Sequence, residues 1–161
     1  MVYRWIEINL VDIFMECDYK SMYKSVWLHF EKSKRLLLNP IGLAEDSRLG
    51  TEAVPPVIEI KLPCEKEALI KAIQETFDNC YKLDGKSSPK LGPAENYVGL
   101  KSEKKFIQLF DKRLILDWTP DEKYSLMIFK GVLEGRGYYS DPETIIFGDS
   151  IDYDYLLNLI Q

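Results

Sequence analysis

The stretch Arg113-Leu114-Ile115-Leu116-Asp117-Trp118, Thr119-Pro120-Asp121-Glu122, Lys123, Tyr124-Ser125-Leu126-Met127-Ile128-Phe129-Lys130 decides the fold class. Two short apolar runs flank four residues of turn chemistry, with a proline at the second turn position. This reads as an antiparallel hairpin. Downstream, Thr144 to Phe147 is a third strand candidate. Gly131 to Tyr139 can continue the meander, with Gly135 and Gly137 marking a turn or bulge. Asp152 to Ile160 suits a short terminal helix.

Upstream, Ser25 to Phe30 and Arg35 to Leu38 are apolar runs separated by Glu31-Lys32-Ser33-Lys34, which suits another hairpin turn. A continuous helix competes here, because the alternation is not clean. Asn39-Pro40 is expected to stop the run. Val2 to Val11 sets Val2, Ile6, Ile8 and Leu10 against Tyr3, Trp5, Glu7 and Asn9, a strand pattern. Val57 to Leu62 is a further strand, ended by Pro63. Between Glu65 and Leu83, Leu69, Ile73, Phe77 and Cys80 or Tyr81 recur at helical spacing. Glu65 and Glu67 suit the positive end of that helix dipole, and Asp84-Gly85 is a stop signal. Ser102 is placed to cap a short helix over Glu103 to Phe110, with Phe106, Ile107 and Phe110 inward. The expected fold is α+β: a mostly antiparallel sheet packed by one long amphipathic helix, about 65–83, and one or two short helices. The chain of 161 residues reads as a single domain, 1–161, with exposed connections near 42–56 and 85–96.

The composition is 46% hydrophobic and 29% charged, so it favours a folded globule over disorder. The formal charge of -5 argues against a nucleic-acid partner or an anionic membrane surface. No apolar run reaches the roughly 18 residues that span a bilayer. Met1 to Glu7 has no basic region followed by an apolar stretch, so a signal peptide is not expected. The expectation is a cytoplasmic protein, a monomer or weak dimer.

The three cysteines, Cys17, Cys64 and Cys80, lack C-x-x-C spacing and read as reduced packing thiols. Cys64 is expected near a helix N-terminus, where a thiolate would be stabilised. His29, the one histidine, is expected to face the surface from its strand. A single imidazole excludes sites that need two. No phosphate-binding loop, G-x-S-x-G elbow or EF-hand loop is present; Gly135-Arg136-Gly137 does not open a helix, and Asp149, Asp152 and Asp154 lack the closing glutamate. No catalytic residue, cofactor or metal ligand is assigned.

Charge distribution carries more. Lys82 to Arg113 holds eight bases and four acids, a surplus that reads as the solvated face of a short helix around Lys101, Lys104 and Lys105. Gly137 to Gln161 holds five acids, Asp141, Glu143, Asp149, Asp152 and Asp154, and no base. Tyr138, Tyr139, Tyr153 and Tyr155 interleave with them. Carboxylates steer the encounter with a cationic protein, and rigid aromatics supply buried area. Asp141, Glu143, Asp152 and Asp154 are the candidate steering groups, and Tyr138, Tyr139 and Tyr155 the candidate anchors. The plainer reading is a solvated acidic surface with tyrosines half in the core.

The strand Val57 to Leu62, the run Glu65-Lys66-Glu67-Ala68-Leu69-Ile70-Lys71-Ala72-Ile73, and Asn96-Tyr97-Val98-Gly99-Leu100-Lys101-Ser102 leading into Phe106 give a pattern over about a third of the chain. In this pattern the chain resembles the small immunity proteins of bacterial contact-dependent growth inhibition systems. The resemblance implies a cytoplasmic α/β protein that binds and blocks a cognate toxin domain, a nuclease being the expected kind, without catalysis of its own. It transfers no functional residue by position. Two other readings stand beside it. One is a small hydrolase or transferase using carboxylates with Cys64 or His29; the other is an adaptor subunit of a larger complex.

Overall fold

The computed structural model describes residues 19–45, 50–85, 91–132 and 138–161, with the side chains of residues 19, 20 and 138 excepted. The expected strand Val2 to Val11, Cys17, Gly135 and Gly137 lie outside the described residues. The order is α1 (Tyr19–Met22), β1 (Lys24–Glu31), β2 (Arg35–Leu43), β3 (Thr51–Ala53), β4 (Ile58–Lys61), α2 (Lys66–Asn79), α3 (Pro93–Tyr97), α4 (Glu103–Leu109), β5 (Lys112–Thr119), β6 (Lys123–Val132), β7 (Tyr138–Tyr139), β8 (Glu143–Gly148) and α5 (Tyr153–Ile160).

The central hairpin forms where its turn chemistry lies. Thr119 Oγ1 accepts from the Glu122 backbone N–H at 3.1 Å, and Lys123 takes a φ of 61°. Leu114 then pairs with Ile128, and Leu116 with Leu126. β1 and β2 form the second hairpin rather than a helix; Ser33 supplies the positive φ of 57° in its turn. Among the described residues all pairs are antiparallel, giving an eight-stranded sheet with β1 and β5 at its centre. β3 and β4 line one edge along β2, and β7 and β8 line the other along β6.

Asn39-Pro40 does not stop β2, which runs to Leu43. The Pro40 carbonyl accepts from Val54 N at 2.9 Å, so the proline's missing N–H also points to that outer side. There the strand changes partner, from β4 at Leu38 to β3 at Ile41, and the missing donor falls in the gap. The supposed connection 42–56 therefore contributes to the sheet: Leu43 pairs with Thr51, Ile41 with Ala53, and Gly42 and Val54 are buried. The connection 85–96 likewise holds the start of α3, whose Pro93 suits a first helical turn.

The alternation along each strand separates two cores. Val26, Leu28, Phe30, Leu36, Leu38, Leu114, Leu116, Leu126 and Ile128 face one side, packed against Leu69 and Ile73 of α2 and Leu156 and Ile160 of α5. On the opposite face, Leu37 packs with Ala94 of α3, Phe106 of α4 and Phe110. α2 is shorter than the expected 65–83. It stops at Asn79 because Tyr81 takes a φ of 62° and turns the chain onto β2. Tyr81 N then donates to Ile41 O at 2.8 Å, and Gly85 N to Leu43 O at 2.7 Å. Ser102 caps α4 as expected, its hydroxyl accepting from Lys105 N at 3.1 Å. No helix among the described residues is long and apolar enough to cross a membrane.

Candidate protein-docking face

β8 is an outer strand. It pairs with β6 from Glu143, opposite Ile128, to Gly148, opposite Tyr124, and its other side is unpaired among the described residues. Its sequence Glu143-Thr144-Ile145-Ile146-Phe147-Gly148 divides by face. Ile145 and Phe147 pack against the larger core, while Ile146 is 58% exposed. The spacing of two residues between Ile145 and Phe147 puts both on that core side, and the register with β6 shifts opposite Tyr124 and Ser125.

The five C-terminal acids do not form one cluster. Asp141 and Glu143 lie at the start of β8, whereas Asp149, Asp152 and Asp154 follow its end; the two groups bracket a strand of about 17 Å. Asp141, Glu143, Asp149, Asp152 and Asp154 are all exposed. Two of them also have local duties. Asp152 caps α5, accepting from Tyr155 N at 2.9 Å. Asp154, in the first turn of α5, pairs with Lys66 Nζ at 2.7 Å on the surface. Tyr155 is 38% exposed and meets Phe147 edge to face at 6.1 Å, so it stands against the core side of β8.

Tyr139 is placed differently. Its hydroxyl donates to Phe110 O at 2.8 Å, and its ring lies 4.3 Å from the Arg113 guanidinium. Burial pushes its phenol well above the ordinary range. The side chain is thus engaged inside the fold, away from the exposed Tyr155. The Tyr138 side chain lies outside those described.

Arg113 itself is held among aromatic faces, 5.0 Å from Trp27 and 5.0 Å from Phe129. This follows from register, since Arg113 pairs with His29 on one side and with Phe129 on the other. His29 is not a surface residue: it is 4% exposed and meets Phe106 edge to face at 5.1 Å. Burial first, and the Arg113 charge second, lower its pKa to about 3, so the ring is neutral. The smaller helices over this face bury it, and neighbouring residues in sequence give no sign of them. Cys64 precedes α2 and packs against the opposite core. Because Cys64 and His29 lie on opposite faces of the sheet, they form no nucleophile–base pair. Nor does the helix start activate the thiol, since burial and then the Glu65 charge raise its pKa.

Among the described residues, clefts of about 600 Å³ and 610 Å³ open on the surface. The first lies between Val54, Pro55, Val57, Leu83, Pro93 and Tyr97, where the two predicted connections meet. The second lies between Lys24, Gln74, Phe77, Trp118, Tyr124 and Tyr153. His29, Tyr23 and Tyr139, the groups most displaced from their ordinary pKa, line neither. Sequence reasoning missed the first cleft, although Pro93 at a helix start was an available signal for its α3 wall. Among the described residues, no group of three His, Cys, Asp or Glu side chains is placed to hold a metal ion. No family model matches the chain, no curated protein matches it, and no solved structure matches its fold.

Proposed function

We propose that this protein is an immunity protein: it binds a cognate toxin domain, a nuclease being the favoured kind, and neutralises it by protein–protein contact. The observation that carries this reading is the set of five exposed acids at the two ends of β8, Asp141, Glu143, Asp149, Asp152 and Asp154, which outnumber the nearby bases Lys66, paired to Asp154, and Lys123 and Lys130 on the adjoining β6. A nuclease must hold phosphates, so its working face is cationic. An acidic exterior accelerates encounter with such a face and imitates the substrate's charge. Tyr155 and Ile146 add exposed apolar area beside the acids. The proposed contact set is therefore Asp141, Glu143, Asp152, Asp154, Tyr155 and Ile146. The protein acts inside the cell, binds no nucleic acid itself and is a monomer or weak dimer when free.

The test is co-purification from the source cell combined with a growth assay. The toxin domain from the neighbouring reading frame is expressed with and without this chain. Growth rescued only by co-expression, together with a stable complex of the two purified proteins, supports the reading. Turnover of a small compound by the purified chain, lost on one substitution in either cleft, overturns it.

A further inference from the structure

We infer that the outer edge of β8 is a strand-addition site for an extended, basic segment of the partner. This deepens the immunity reading and rests on it for the partner's identity, but the edge can be tested without the toxin. Half the backbone N–H and C=O groups of an outer strand point away from its neighbour, and among the described residues no strand pairs with those of β8. Among the described residues the other outer strands are shorter: β3 has three residues, β7 two, and β4 four. β4 is also enclosed by Pro55, Pro56 and Pro63, which cannot donate to an added strand. β8 has six residues, and proline guards only its entrance, at Pro142. Its middle, Thr144-Ile145-Ile146, carries no charge, and Ile146 offers an exposed apolar side chain to a cross-strand neighbour.

The charges choose the occupant. A second copy is disfavoured: two-fold antiparallel pairing centred on Ile145 would set Asp141 of one chain opposite Asp149 of the other. Like charges directly opposite destabilise such a pair. A strand with basic residues at both ends and an apolar centre matches instead. Its ends meet Asp141 and Glu143 on one side and Asp149 on the other, while its centre covers Ile146. Main-chain hydrogen bonds then provide the attachment and the bracketing acids set the register.

The probe is a peptide of about nine residues alternating lysine with valine, with the same peptide N-methylated at alternate residues as control. Both carry the same charge, but only the first can form a full ladder. Amide exchange by nuclear magnetic resonance should show the outward amides of β8 slowed at least about tenfold by the plain peptide and unchanged by the methylated one. Ile146→Lys, on an exposed side chain, should weaken binding by about tenfold. Equal binding of both peptides, or protection at another edge with β8 unchanged, overturns the inference. If β8 accepts the peptide while the chain protects against no toxin, the edge stands and the immunity reading falls. If the chain neutralises a toxin while β8 amides stay unprotected in that complex, the edge falls and the immunity reading stands.

Discussion

Replacing His29 with phenylalanine should remove a large part of the protein's sensitivity to acid. The imidazole is 4% exposed, its Nδ1 has no hydrogen-bond partner, and Arg113 stands beside it. The folded pKa of about 3 lies far below the ordinary histidine value of 6.5. In the unfolded chain the ring therefore takes up a proton as pH falls below about 6.5, whereas in the folded chain it stays neutral until about pH 3. A depressed histidine destabilises the fold progressively across that window, by about 1.4 kcal/mol per pH unit. Between pH 7 and pH 4.5 the loss comes to roughly 2.5 kcal/mol. Phenylalanine keeps an aromatic ring against Phe106, removes the unpaired Nδ1, and cannot protonate. Other groups also titrate here, among them Glu31, so the informative quantity is the difference between the two proteins. Urea unfolding at pH 7, 6, 5 and 4.5 supplies it. His29→Phe should gain on the parent by roughly 2.5 kcal/mol over this range, with most of the gain below pH 6. Parallel profiles would refute a buried, neutral His29 and return the residue to the surface.

The remaining expectations concern the acids, the core, one glycine and the thiols. Asp141→Lys with Glu143→Lys should slow association with the toxin domain about tenfold at low salt, the gap closing toward 0.5 M or so, with stopped-flow rates as the check. Leu116→Ala, at a fully buried position on β5, should cost about 3 kcal/mol in chemical unfolding with no change in the measured slope. Gly42→Ala should cost roughly 1–3 kcal/mol, because its Cβ would run into the Leu83 carbonyl where the chain after α2 crosses β2; thermal unfolding reads the loss. In a Cys17→Ser background, iodoacetamide should alkylate Cys64 and Cys80 at pH 8 more slowly than a free cysteine, since burial raises both thiols. A fast-reacting Cys64 would revive the nucleophile reading.

The hairpin from Arg113 to Lys130 was legible because strand alternation and turn residues are local properties. The same holds for the Ser102 cap and for the apolar stripe through Leu69 and Ile73, each written within a few positions of chain. The length of α2 was not legible: its end depends on Tyr81 finding Ile41, some forty residues away. Pro40 was misread as a stop for a related reason. A proline is tolerated in a strand wherever no neighbour needs its N–H, and only the change of partner from β4 to β3 creates that place.

For the candidate site, the acidic, tyrosine-bearing C-terminus could be seen from composition, but its arrangement could not. Pairing with β6 lays the acids at two ends of an outer strand, turns Ile146 outward, leaves Tyr155 at the surface and draws Tyr139 onto Arg113. His29 shows the same division. Its place on a strand was evident, yet whether that face meets water or Phe106 is set by the docking of α4. The sequence by itself determined the strands, turns, caps and overall charge, because these depend on neighbours within a few residues. Tertiary structure alone decided which described strands are outermost and which polar groups are buried, because both depend on contacts between distant segments.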